Sequence, residues 1–122
     1  MQAYSRALLV ALTATIVALS VVPPGWRPVT GVPHALEHVV IFGLAGACLA
    51  LSFARSWLVL GIVATMFTAL VEVAQLWIPG RHARMSDFVV DTAGAWLGLA
   101  LCAIGRGLWR GSDATMGAHR RD

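Results

Sequence analysis

Charged side chains cut this chain into four apolar runs, each close to the roughly 20 residues a helix needs to cross a hydrocarbon core. Ala7 to Val22 and His38 to Ala54 contain no Asp, Glu, Lys or Arg. Trp57 to Ile78 contains Glu72 alone, and Phe88 to Ile104 contains Asp91 alone. Pro23-Pro24 and Pro79-Gly80 end the first and third runs, because proline cannot continue a helix. Arg55 and Arg106 bound the second and fourth. Of the 122 residues, 58% are hydrophobic and 12% are charged, whereas a soluble domain carries about 25% charged residues. That is too little polar surface for a soluble globule, which excludes a soluble enzyme, a disordered chain and a nucleic-acid-binding domain. The expected fold is an all-α membrane protein, a bundle of four transmembrane helices over 6–22, 36–54, 57–78 and 88–105. A single domain spanning 1–110 is expected, followed by a disordered cytoplasmic tail over 111–122.

Four spans place both termini on one side of the membrane. Arg6, Arg55, Arg106, Arg110, Arg120 and Arg121 fall on that side, and Arg27, Arg81 and Arg84 on the other. The positive-inside rule then predicts cytoplasmic termini. Trp57 and Trp109 are expected near the inner interface, Trp26 and Trp77 near the outer one, and Trp96 between helices. The first run also has signal-peptide features, with Arg6 before it and small residues at Ala18 to Ser20. Its extension to Val22 and the following Pro-Pro favour a retained helix. Cys48 and Cys102 lie inside apolar runs with no disulfide or metal spacing, so both are expected as plain packing residues.

Ionisable residues within a span are costly and point to function. Here they form three stripes: His34 and His38, Glu72 and Gln75, and Asp87 and Asp91. Spacings of three and four put each pair on one helix face. Glu72 lies six residues before Ile78, about 9 Å from that helix end at the usual rise, and Asp91 and His38 lie near the same end. All three stripes are therefore expected in the outer half of the membrane. The loop from Pro79 to Ser86 supplies Arg81 and Arg84 as counter-charges for Glu72, Asp87 and Asp91. His38, Glu72, Gln75, Arg81, Ser86, Asp87 and Asp91 are thus expected to converge.

The ordered set Glu72-x-x-Gln75, Pro79-Gly80-Arg81, Ser86-Asp87 and Asp91-Thr92-x-Gly94-x-x-x-Gly98 resembles the VanZ-like family of small bacterial membrane proteins. His38 and its glycine-containing helix resemble that family's earlier histidine. The likeness covers about Leu36 to Leu101. Two positions depart from the family pattern, with His34-Ala35 where Asp-Lys is common and Asp91 where Asn is usual. The resemblance implies a multi-pass protein of the bacterial inner (plasma) membrane. It also implies a link to envelope processes and to resistance against teicoplanin-type glycopeptides.

Structural roles compete with functional ones at each position. Glu72 with Arg81 can be a clamp that locks the loop, and Ser86 and Asp87 can cap a helix. Gly43, Gly46, Gly94 and Gly98 are expected at close helix contacts. No tight ligand spacing supports a metal, and no cofactor is expected. The expected partners are the lipid bilayer and a lipid-linked envelope precursor or glycopeptide, with no nucleic acid. Two functions remain open: an outward-facing polar pocket that binds an envelope molecule, and an intramembrane enzyme with Glu72 or Asp87 as acid/base. The residues do not decide whether the chain is an enzyme.

Overall fold

The computed structural model describes residues 2–22, 24–26, 31–80 and 83–118. Four helices follow one another: α1 (Gln2–Val21), α2 (His34–Ser52), α3 (Trp57–Gln75) and α4 (Met85–Ala118), with a single 3-10 turn at Pro24–Trp26 between α1 and α2. No strand occurs among the described residues. All four helices are long and apolar enough to cross a membrane, α4 by its segment Met85–Leu108. Leu8, Val10, Leu44, Leu58, Ile62, Leu70, Val73, Leu97 and Leu101 all face outward. An apolar coat of that extent is incompatible with water and suits lipid.

Local chemistry sets the helix ends. Ser56 caps α3, its Oγ accepting from the Val59 N–H at 3.4 Å. After Gln75 three successive i→i−3 bonds, from the amides of Leu76, Trp77 and Ile78, tighten the chain into a turn. The turn ends at Gly80, whose φ of 80° only glycine adopts without strain. α3 therefore stops three residues short of the expected Ile78. α4 starts three residues earlier than expected, because the Arg84 carbonyl already accepts from the amides of Asp87 and Phe88. Asp87 then sits in the first turn, where a negative charge complements the helix dipole. α4 also continues to Ala118, so 111–118 is helical rather than the disordered tail expected from its polar composition.

With lipid as solvent, burying apolar surface does not drive helices together; close packing and hydrogen bonds do. α2 and α4 form the tightest pair, and glycine is the reason. A Cβ on Gly98 would overlap the Gly43 carbonyl oxygen and lie 2.8 Å from the Ala47 nitrogen. One on Gly46 would collide with the Ala95 backbone, and one on Gly94 would lie 2.9 Å from the Val39 carbonyl oxygen. Gly43 is less tight, at 3.4 Å from the Gly94 oxygen. On α3, Gly61 admits the ring of Trp96, which meets Trp57 edge-on at 5.7 Å. Ile16 of α1 is buried in the same core as Phe42, Leu60, Val71 and Leu99. Cys48 is buried and Cys102 partly buried; both are free thiols. Trp26, Trp57 and Trp77 are exposed. Arg27, Arg81, Arg120 and Arg121, and the side chains of Trp109 and Arg110, lie outside the described residues.

Arg6, Arg55 and Arg106 lie at one end of the bundle and Arg84 at the other. The Arg6 Nε donates to the Ser52 carbonyl at 3.3 Å and its guanidinium lies 5.5 Å from the Phe53 ring centroid. The Arg106 Nη1 donates to the Ala50 carbonyl at 2.8 Å. Both satisfy carbonyls that the end of α2 leaves without helical partners. α1, α2 and α4 are thus pinned at this end, and the described side chains of His34, Glu37, His38, Glu72, Asp87 and Asp91 lie toward the opposite end.

Candidate functional site

Asp91 is the most deeply buried charged side chain described, at 1% exposure. It projects from α4 across the glycine-lined seam, and its Oδ1 lies 2.6 Å from the His38 Nδ1 of α2. This short contact is possible because Gly94, one turn further on, lets α4 approach the backbone of Val39. With Nδ1 against the Asp91 carboxylate, the Nε2 edge is the ring's second polar face. The His38 ring also sits edge-on to His34, with centroids 4.1 Å apart, and stacks on Phe42 at 6.1 Å.

Glu72 approaches from α3 and is 6% exposed. Its Oε1 accepts from the backbone N–H of Arg84 in the loop before α4. Its Oε2 is buried and has no hydrogen-bond partner among the described residues. Asp87, Asp91 and His38 are close enough to act on it electrostatically. Gln75 is buried on the same face of α3, one turn closer to the loop. Ser86 is exposed and its Oγ donates to Asp87 Oδ1 at 3.2 Å.

The structure thus brings His38, Glu72, Asp87 and Asp91 together at one end of three helices. Ser86 stays at the surface as a first-turn partner of Asp87. Among the described residues no guanidinium pairs with Glu72, Asp87 or Asp91; Glu72 is met by the main chain of Arg84, and Arg81 lies outside the described residues. No group of three His, Cys, Asp or Glu side chains among the described residues is placed to hold a metal ion.

A row of hydroxyls below the carboxylates escaped the reading of charges. Thr68 of α3 bonds Thr92 of α4 at 2.8 Å and donates to the Thr65 carbonyl at 2.9 Å. The indole Nε1 of Trp96 donates to Thr65 Oγ1 at 3.0 Å. The signal was present in the spacing of Thr65, Thr68, Glu72 and Gln75, which keeps one face of α3 polar for three turns. This seam ties α3 to α4 and fixes the height of Glu72 against Asp91.

A cavity of about 170 Å³ lies beneath Phe42, lined mostly by apolar side chains of the four helices, with the hydroxyl-bearing Thr13 and Thr68 among them.

No curated protein and no solved structure matches the chain. A model of the VanZ/LLP1 family matches residues 4–106, a stretch that takes in all four helices and each of the clustered side chains, and the chain belongs to that family.

Proposed function

We propose that the cluster of His38, Glu72, Asp87 and Asp91 is a binding site for the polar part of a cell-envelope molecule, at the outer face of a bacterial inner membrane. The observation that carries this reading is the Glu72 carboxylate. A clamp that served stability alone would leave no buried oxygen without a donor, since such a group costs roughly 1–3 kcal/mol. Glu72 Oε2 is such an oxygen among the described residues, beside an imidazole held by a buried aspartate. A ligand hydroxyl, amide or ammonium supplies the missing donor.

Orientation follows from the arginines. Arg6 and Arg106 sit at the end opposite the cluster, and Arg55 is in the turn between α2 and α3 at that same end. Basic residues favour the cytoplasmic side, which puts the cluster outside and both termini in the cytoplasm. An envelope ligand on that side is in keeping with the phenotype after which the family is called, and resistance to teicoplanin-type glycopeptides is one readout of such binding.

The Asp91–His38 contact favours one second reading, an enzyme acting on a lipid-linked envelope precursor. A carboxylate-oriented imidazole is suited to general acid–base work, which makes His38 a stronger candidate for the proton-transfer group than Glu72 or Asp87.

The test is Glu72→Gln in cells whose growth under envelope stress or glycopeptide depends on this chain. The amide keeps the shape and the acceptor for Arg84. Normal membrane abundance with loss of protection is expected; normal abundance with full protection would overturn the site. His38→Gln in the same assay, with product analysis of extracted envelope lipids, separates binding from chemistry.

A further inference from the structure

The geometry points to a lipid as the ligand of this site, with one hydrocarbon chain of that lipid lying in the apolar cavity beneath the polar cluster; the inference rests on the binding role proposed above. The cavity is a slot rather than a pit. Leu9 and Thr13 of α1, Phe42 and Ala45 of α2, and Val63 and Phe67 of α3 line it. On α2 the lining runs from Phe42 to Leu49, about 10 Å along the helix at 1.5 Å per residue. Its long axis therefore follows the helices, as the chains of a bilayer lipid do.

The slot is partly open to its surroundings. α1 and α3 meet only loosely beside it, and Val63 is half exposed at the rim. The space outside that rim is hydrocarbon, so the occupant available to fill it is a lipid chain. An apolar cavity of about 150 Å³ inside a protein stays dry and accepts small hydrocarbons; this one, at about 170 Å³, borders a reservoir of them. Of the two hydroxyl-bearing residues in its lining, Thr13 and Thr68, Thr68 turns its hydroxyl to Thr65 and Thr92.

The slot and the polar cluster share a wall. Phe42 lines the top of the slot, stacks on His38 and tilts against Phe67 at 6.4 Å. Thr68 lines it too, and its partner Thr92 is the neighbour of Asp91. A molecule with its head between His38 and Glu72 thus has a hydrocarbon slot directly below it, in the direction its chain would run. A free sugar or peptide would use the cluster alone and leave the slot unexplained.

The experiment uses the full chain in phosphatidylcholine vesicles doped with a phospholipid that carries a photoactivatable diazirine midway along one acyl chain. After irradiation, adducts are mapped by mass spectrometry. Phe42 and Ala45 are 3% and 9% exposed, so lipid on the outer surface does not reach them. Adducts on Phe42 and Ala45 are expected, falling about tenfold or more in Ala64→Trp, which overfills the slot. Adducts on the lipid-facing Leu70 and Val73 should not change. Val63→Trp, at the open rim, is the second variant should Ala64→Trp fail to fold. Adducts confined to Leu70, Val73 and other outward positions would overturn the inference, as would slot adducts that survive a folded blocking variant. Glu72→Gln separates the two proposals. Slot adducts that persist in a Glu72→Gln protein lacking protection support both. Loss of protection in Glu72→Gln with no slot adducts in the parent protein sinks the chain and leaves the head site standing.

Discussion

Gly94→Ala tests whether close approach of α2 and α4 holds the site together. The added Cβ would lie 2.9 Å from the Val39 carbonyl oxygen and 3.0 Å from the Val39 Cα. Both are backbone atoms, so no rotamer change relieves the overlap. Carbon and oxygen ordinarily meet at about 3.3 Å or more, so the helices must part by roughly 0.4 Å. Val39 adjoins His38, and Gly94 is three residues from Asp91, so the same displacement lengthens their 2.6 Å contact. Overpacking of this kind costs about 1–3 kcal/mol, a roughly 5- to 150-fold shift in the folded ratio. The matched control is Gly105→Ala, where nothing lies within 4 Å of the new Cβ. Unfolding by a titrated denaturing detergent, followed by the fluorescence of Trp96 in its Trp57 contact, gives both values in one assay. Gly94→Ala should unfold earlier and Gly105→Ala with the parent. Equal midpoints for all three proteins would refute the idea that glycine sets this seam.

Three further outcomes follow from named contacts. Arg106→Ala should cost about 1 kcal/mol by freeing the Ala50 carbonyl, the net worth of one such bond; an unchanged unfolding midpoint would show that the carbonyl finds another donor. Thr68→Val, which deletes the bond to Thr92, should cost about 0.6 kcal/mol and at most about 1.7, the range for interhelical bonds in membranes, and a larger loss would make that seam the main tie between α3 and α4. In a background without Cys48 and Cys102, an impermeant thiol reagent on whole cells should label Ala83→Cys and spare Thr115→Cys. The reverse pattern would turn the polar cluster toward the cytoplasm.

The four helices were legible because each run is apolar and closed by proline or arginine, a pattern that survives any detail of packing. The three polar stripes were legible from spacing on single helices. Their convergence at one end, His38 with Asp91 included, was expected. Periodicity gives the face of a helix and not its rotation against a neighbour, so the choice of His38 rather than an arginine as the partner of Asp91 emerges only from the bundle. For Glu72 the expected partner Arg81 lies outside the described residues; the contact seen, from the amide of Arg84, is a backbone donor that leaves no trace in residue type. Helix over 111–118 also went unread. Its Gly, Ser and Asp argue for coil, but a helix already propagating from α4 adds residues without a new nucleation cost. The slot beneath Phe42 had no signature at all, because a void depends on how α1 leans against α3.

If Glu72 serves a ligand at some expense to the fold, the unfolding midpoint of Glu72→Gln shows it. An amide at this position still accepts from Arg84 through its oxygen, and its nitrogen replaces the unpartnered carboxylate oxygen Oε2. It also removes a negative charge near Asp87 and Asp91. The expected midpoint is equal to or above that of the parent protein, together with loss of protection in cells, as when a site is kept for function against stability. A midpoint lowered by about 1 kcal/mol or more would mean that the carboxylate stabilises the bundle, and the cluster would be a structural clamp.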